Sequence, residues 1–303
     1  MNKKVIVITG PTGSGKSALS IALAKKLKTE IISADSRQIY KGIPIATAVP
    51  SFEERENIPH YLIEKLNLDD YYSASLFEED ALRLITEIIN KTGTAIICGG
   101  SMLYVDALCN GIDDLPTVPD SIRKGLMEEW RINGDLWLKN KLKEIDPETW
   151  QRVDNNNMKR IFHAVEITMA AGEKYSNLLG KPKKKRPFET LKICLDGSRD
   201  ILFDKINKRV IDMFKAGLEE EAKSVYHLRH LNSLNTVGLK EMFAWFEGGF
   251  KTKDETLARI QKNTRVYAKK QLTWYKKDPL IKRIDLENPI NINVNKIIEL
   301  FGK

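Results

Sequence analysis

Residues 5–27, VIVITGPTGSGKSALSIALAKKL, constrain this chain more than any other stretch. A short apolar run, Val5–Thr9, predicts a buried strand. The turn that follows, Gly10-Pro11-Thr12-Gly13-Ser14-Gly15-Lys16-Ser17, fills every position of the pattern G-x-x-x-x-G-K-[ST]. Apolar residues at Ala18, Leu19, Ile21, Ala22, Leu23 and Leu27 predict a helix over Ser17–Leu27, packed on a sheet. Strand, glycine turn and helix in that order make a phosphate cradle. Backbone N–H groups and the helix N-terminus supply partial positive charge, and Lys16 supplies a full one. The Ser17 hydroxyl is placed for Mg²⁺, the expected cofactor.

Further apolar runs at Glu30–Ser33, Thr94–Cys98 and Leu191–Leu195 predict three more buried strands. Ala81–Asn90 reads as a helix before the third strand. Alternating strands and helices predict an α/β fold with a parallel, P-loop NTPase-like sheet flanked by helices. The pattern then changes. From about Pro119 to Lys181 only helical periodicity appears, bordered by LPTVP (Leu115–Pro119) and GKPKKKRP (Gly180–Pro187). A helical block between two strands of one sheet reads as an insertion. The expected domains are a core of residues 1–116 and 188–303, with a helical C-terminal part, and an all-helical insertion over 117–187.

With 303 residues, 42% apolar and 30% charged, the chain has ordinary globular composition. It contains no apolar run long enough for a transmembrane helix and no signal-peptide pattern. Cys98, Cys109 and Cys194 lack metal-like spacing, and the reading is a cytoplasmic protein with reduced thiols. The net charge of +8 is concentrated in KPKKKRP and in the segment Lys251–Arg283, which points toward a polyanionic partner.

A phosphate loop does not dictate its phosphate. The third strand ends in Cys98-Gly99-Gly100 without the acid that motor-type ATPases place there, although Asp196 follows the fourth strand. No N-K-x-D motif reads guanine. In open α/β sheets ligands sit beyond the carboxyl ends of the strands. The second strand delivers Asp35-Ser36-Arg37-Gln38 there, and the third delivers Gly99-Gly100-Ser101. Asp35 has three open roles at that point: magnesium ligand, helix cap or general base. Ser101 is an N-cap, a binding residue, or both.

These residues carry a resemblance. SADSRQIYKG (33–42) with Thr47, PHYLI (59–63), GGSMLY (99–104), the Leu115–Arg123 stretch, NNMKRIFHAVEI (156–167), KRVIDMFKAGLEEE (208–221), TVGLKEM (236–242) and TRVYAKKQLTWY (264–275) join the phosphate loop. Together they resemble the bacterial tRNA dimethylallyltransferases. Those enzymes transfer a dimethylallyl group from dimethylallyl diphosphate to N6 of the adenosine 3′ of the anticodon. Two departures stand out: Val49 occupies a position usually held by lysine, and His163 one often held by arginine.

The resemblance implies a diphosphate leaving group held by Gly10, Pro11, Thr12, Gly13, Ser14, Gly15, Lys16 and Ser17. It implies catalytic roles for Asp35 as base, for Ser101 in positioning, and for Arg209 on the diphosphate. Contact with the tRNA anticodon stem-loop is implied for Asp35, Ser36, Arg37, Gln38 and Ser101, and for Arg123, Lys159, Arg160, Ile161, Phe162 and His163. A monomer is the expected state. Tryptophans 130, 137, 150, 245 and 274 could stack on bases or fill cores. The rival readings are a small-molecule or nucleotide kinase and a non-enzymatic P-loop RNA-binding module.

Overall fold

The structure is a computed structural model describing residues 4–113, 115–180 and 184–302. Lys181–Lys183 of the basic KPKKKRP stretch lie outside the described residues. In chain order the elements begin with β1 (Lys4–Thr9), α1 (Lys16–Leu27), β2 (Ile31–Ser33), α2 (Pro44–Thr47) and β3 (His60–Tyr61). They continue with α3 (Ala74–Thr92), β4 (Thr94–Cys98), α4 (Met102–Asn110), α5 (Asp120–Ile145), α6 (Pro147–Arg152), α7 (Met158–Ala171) and α8 (Tyr175–Leu178). The last are β5 (Glu189–Asp196), α9 (Arg199–Lys215), α10 (Leu218–Val225), α11 (Leu239–Phe246), α12 (Lys253–Tyr275), β6 (Lys282–Asp285) and α13 (Ile290–Gly302).

The chain divides into two compact units, residues 1–110 with 185–303, and residues 111–184. In the larger unit the six strands run in the order β3-β2-β4-β1-β5-β6, every pair parallel. Central β1 is apolar on both faces because helices cover both, as parallel sheets require. Ile6 and Ile8 pack with Leu19 and Leu23 of α1, Ile193 of β5, Leu202 and Ile206 of α9, and Ile297 of α13. β1 sits where the strand order reverses. The loop after it therefore opens into the crevice where α/β sheets bind ligands.

Two strands escape sequence reading. β3 has two residues, and edge strand β6 (KRID) buries only Ile284. The helix expected at Ala81 begins seven residues earlier, because the Ser73 hydroxyl accepts from Leu76 N and caps it. The unit boundary falls before Lys185 instead of after Pro187. Arg186 explains the difference: its guanidinium donates to Leu108 O, Ala107 O and Glu78, anchoring this stretch to the larger unit.

The smaller unit is helical and has its own core. Leu126, Leu138 and Leu142 of α5 pack against Ile161, Phe162 and Val165 of α7. Trp130, Trp137 and Trp150 close its edges. α5 kinks at Gly134. Asp146, wholly buried, caps α6 through Thr149 N and also accepts from Ser176 N and Oγ, which fixes the return of the chain.

Candidate active site

The first wall of the site is the loop between β1 and α1. Gly13 has φ +80°, and a Cβ there would come within 2.9 Å of Ile206, so the loop needs glycine for both backbone and space. Lys16 opens α1 and donates to Pro11 O at 2.8 Å. Burial lowers the Lys16 pKa, and Arg209 opposes its charge further, while Cys98 and Asp35 favour it. The Ser14 hydroxyl is buried without a hydrogen-bond partner among the described residues. Buried polar groups are nearly always satisfied, and an anion's oxygens in this cradle would satisfy this one.

The second wall follows β2. Asp35 Oδ1 accepts from Arg37 N at 2.9 Å and Gln38 N at 3.4 Å, so one carboxylate oxygen caps the tight turn. Arg37 donates to the carbonyls of Asn232 and Ser233. Gln38 accepts from Ser33 Oγ and donates to Thr47 O and Ala48 O. The short helix α2, which carries Thr47, is held by the buried Glu221 carboxylate accepting from Ile45 N and Ala46 N.

The third wall follows β4. Ser101 is 8% exposed, and its hydroxyl accepts from Ser36 N at 2.8 Å and donates to Ser36 Oγ at 3.1 Å. Its carbonyl accepts the first amide bonds of α4, so the backbone takes the N-cap position while the side chain ties the β4 turn to the β2 turn. Ala34 N donating to Cys98 O and Ser101 N donating to Ala34 O strengthen that tie.

α9 and α12 close the crevice. Arg209 of α9 is half-buried; desolvation lowers its pKa, and Asp35 and Glu54 support its charge. Thr264, Tyr267 and Gln271 lie on one face of α12 and line the same cleft, of about 350 Å³. Desolvation of its hydroxyl and then Asp35 push the Tyr267 phenol up to about 12, although the side chain as a whole is 36% exposed. Gln271 is 2% exposed; it accepts from Thr12 N and donates to Gly100 O, both at 2.8 Å. Tyr267 and Gln271 fall in the TRVYAKKQLTWY stretch that carries the resemblance, but sequence reading gave neither a role.

Thr12, Lys16, Ser17, Asp35, Ser101 and Arg209 thus line one cleft. Asp196, weighed as a late magnesium acid, does not line it; Asp196 Oδ2 pairs with Arg283. For Mg²⁺, the oxygens available are the Ser17 hydroxyl, at an exposed position of α1, and the Asp35 carboxylate. A sparse, all-oxygen set suits Mg²⁺, which takes few protein ligands and completes its shell with water and phosphate.

In the smaller unit, Lys159, Arg160 and His163 are exposed on α7. Arg123 Nε donates to Glu166 at 2.9 Å, and His163 Nδ1 lies 3.0 Å from the same carboxylate. Burial would raise the Glu166 pKa, but the hydrogen bonds from His163 and Arg123 outweigh it and hold the carboxyl below its ordinary value. Ile161 and Phe162 correct the expectation. Helical period turns them into the core, 0% and 8% exposed, so neither presents a side chain to RNA. Trp274, by contrast, is 41% exposed and donates to Asp106.

Comparison with known proteins agrees with this geometry. The family model described as IPP transferase matches residues 38–278. A tRNA dimethylallyltransferase of Parabacteroides distasonis is 48% identical over 93% of this chain and 93% of its own. The full-length tRNA isopentenylpyrophosphate transferase of Bacillus halodurans superposes with a TM-score of 0.72 at 32% identity, covering 99% of this chain and 96% of that one. A eukaryotic dimethylallyltransferase acting on tRNA gives 0.81 at 29% identity, covering 94% and 74%. With the phosphate loop, the paired turns after β2 and β4 and this breadth of similarity, the chain belongs to the IPP transferase family.

Proposed function

We propose that this protein transfers the dimethylallyl group of dimethylallyl diphosphate to N6 of adenosine 37 in tRNAs reading codons that begin with U. The C1–O bond of the donor breaks and its electron pair leaves with diphosphate. The N6–C1 bond forms, and the N6 proton passes to Asp35. The observation that carries this reading is the convergence of a phosphate loop, two half-buried cations and one carboxylate in a single cleft.

An exocyclic adenine amine is a weak nucleophile, because its lone pair is conjugated with the ring. The reaction therefore needs leaving-group stabilisation and a proton acceptor. Lys16, Arg209 and the amides of Gly13–Ser17 hold the diphosphate. Asp35 keeps one oxygen on its own turn, so the other remains for N6. Ser101 fixes that turn through Ser36. Ser17 would hold Mg²⁺, which would supply charge neutralisation on the diphosphate.

The target adenosine must leave its stack, at a cost of a few kcal/mol. Contacts by Ser36–Gln38, by the C-terminal basic segment, and by Arg123, Lys159, Arg160 and His163 offset this cost. The protein acts as a cytoplasmic monomer. None of its described helices is long and apolar enough to cross a membrane.

The test incubates the protein with radiolabelled dimethylallyl diphosphate, Mg²⁺ and unmodified tRNA. Label entering RNA, with none transferred from γ-labelled ATP to nucleotides, is the expected result. Phosphoryl transfer without RNA labelling would overturn the reading in favour of a kinase.

A further inference from the structure

We propose that Gln271 is a positioning residue for this transfer, pinning the donor loop to the turn that holds the base. The inference rests on the reaction proposed above. Strand ladders fix β1, β4 and β2 side by side, but the loops beyond their carboxyl ends have no ladder. Gln271 supplies the missing tie. Its Oε1 accepts from Thr12 N and its Nε2 donates to Gly100 O, across 259 and 171 residues of sequence.

A primary amide offers a donor and an acceptor side by side on a neutral head. Glutamate would only accept, lysine would only donate, and asparagine is one carbon shorter. Gly100 is matched to this contact, since a Cβ there would lie 2.5 Å from Gln271 Nε2. The same Cβ position is 3.6 Å from Lys16 Nζ, so the amide sits beside the lysine of the cradle.

The tie continues onward. Ser101, next in sequence, accepts from Ser36 N, and Asp35 caps the turn through Arg37 N. One path of hydrogen bonds thus runs from the phosphate loop to the carboxylate. It sets the spacing between leaving group and proton acceptor, a distance on which near-attack geometry depends. It also withdraws the Thr12 amide from the donor, so the cradle is made by the amides that follow.

The test replaces Gln271 by Met, which keeps length and volume and removes both hydrogen bonds. Three quantities are read on the full chain: single-turnover transfer rate with saturating donor and tRNA, KM for tRNA, and Kd for inorganic pyrophosphate. The expected rate falls about 10–100-fold, because small misplacement of reacting groups costs on that order. KM for tRNA stays within about threefold, and circular dichroism reports folded protein.

Combining Q271M with Ser101→Ala should cost less than the product of the single effects, since both cut one path. Q271E is the second variant. It keeps the bond to Thr12 N, loses the one to Gly100 O and adds an anion, so it should lose rate and also weaken pyrophosphate. A folded Q271M or Q271E with a rate within about twofold of the unmodified protein overturns the inference. Absence of transfer by the unmodified protein, with pyrophosphate still bound, would instead strike the proposed reaction.

Discussion

Substituting Asp35 separates two duties that the sequence alone could not divide. Asp35 Oδ1 caps its own turn by accepting from Arg37 N and Gln38 N. Alanine removes the cap and the proton acceptor together. Losing such a cap costs typically about 0.5–2 kcal/mol. Asparagine retains an oxygen at the same position and keeps the cap, but offers no carboxylate. Asp35→Asn should therefore unfold within about 0.5 kcal/mol of the unmodified protein in urea, with Asp35→Ala lower by about 1 kcal/mol. Both should lose about 10²–10⁴-fold in single-turnover transfer, the usual contribution of a general base. That loss corresponds to about 3–5 kcal/mol of barrier. Donor binding moves the other way. Asp35 supports the charges of Lys16 and Arg209, so it competes with an incoming diphosphate for them. Asp35→Asn should bind inorganic pyrophosphate as tightly as the unmodified protein or more tightly, measured by calorimetry. A D35N protein that transfers within tenfold of the normal rate, or binds pyrophosphate markedly more weakly, would refute the assignment of base and of competing counter-charge.

Lys16→Met should weaken pyrophosphate binding about 10–100-fold, the worth of one charge-assisted hydrogen bond, with little change in urea midpoint. Arg186→Met removes the cation of a pair whose two side chains are each 8% exposed, together with two bonds to backbone carbonyls. Breaking a buried pair costs about 3–5 kcal/mol, which urea denaturation will read. Glu166 sets an acid limit. Its pKa is depressed in the folded state, so its stabilisation is full above the unfolded value of 4.5 and is lost as pH falls through the lower folded value. Circular dichroism of Glu166→Gln should show a shallower loss of stability over that acid window.

What the sequence made legible was local. The phosphate loop is written in eight consecutive residues, and Thr94–Cys98 is apolar along its length, as a strand buried on both faces must be. β3 and β6 escaped because an edge strand needs few buried side chains, and His60-Tyr61 is too short to show any period. The resemblance carried the RNA assignment across all of Lys159–His163, although the apolar spacing of Ile161, Phe162 and Val165 already pointed to a core. Gln271 stands in the TRVYAKKQLTWY stretch of the resemblance, which assigned it no role. Its partners are backbone atoms of Thr12 and Gly100, and any residue type has a backbone. Charge counting marked α12 as a basic surface, yet that surface is only its outer side. Its inner side, through Thr264, Tyr267 and Gln271, is a wall of the site.

The electrostatics of the cleft give that wall a consequence. Desolvation disfavours the charges of both Lys16 and Arg209, and Arg209 further opposes that of Lys16. Lys16 donates to Pro11 O, and Asp35 supports the charges of both cations. In the proposed reaction a diphosphate would bring the negative charge that Lys16 and Arg209 can pair with. Loop residues that must accept that ligand without drifting need an anchor outside the loop. The Thr12 amide is held by a side chain of α12, an element outside the loop. In the proposed transfer this tie would hold the glycine loop at a set distance from the turn of Asp35, as a reaction between two separately bound substrates requires.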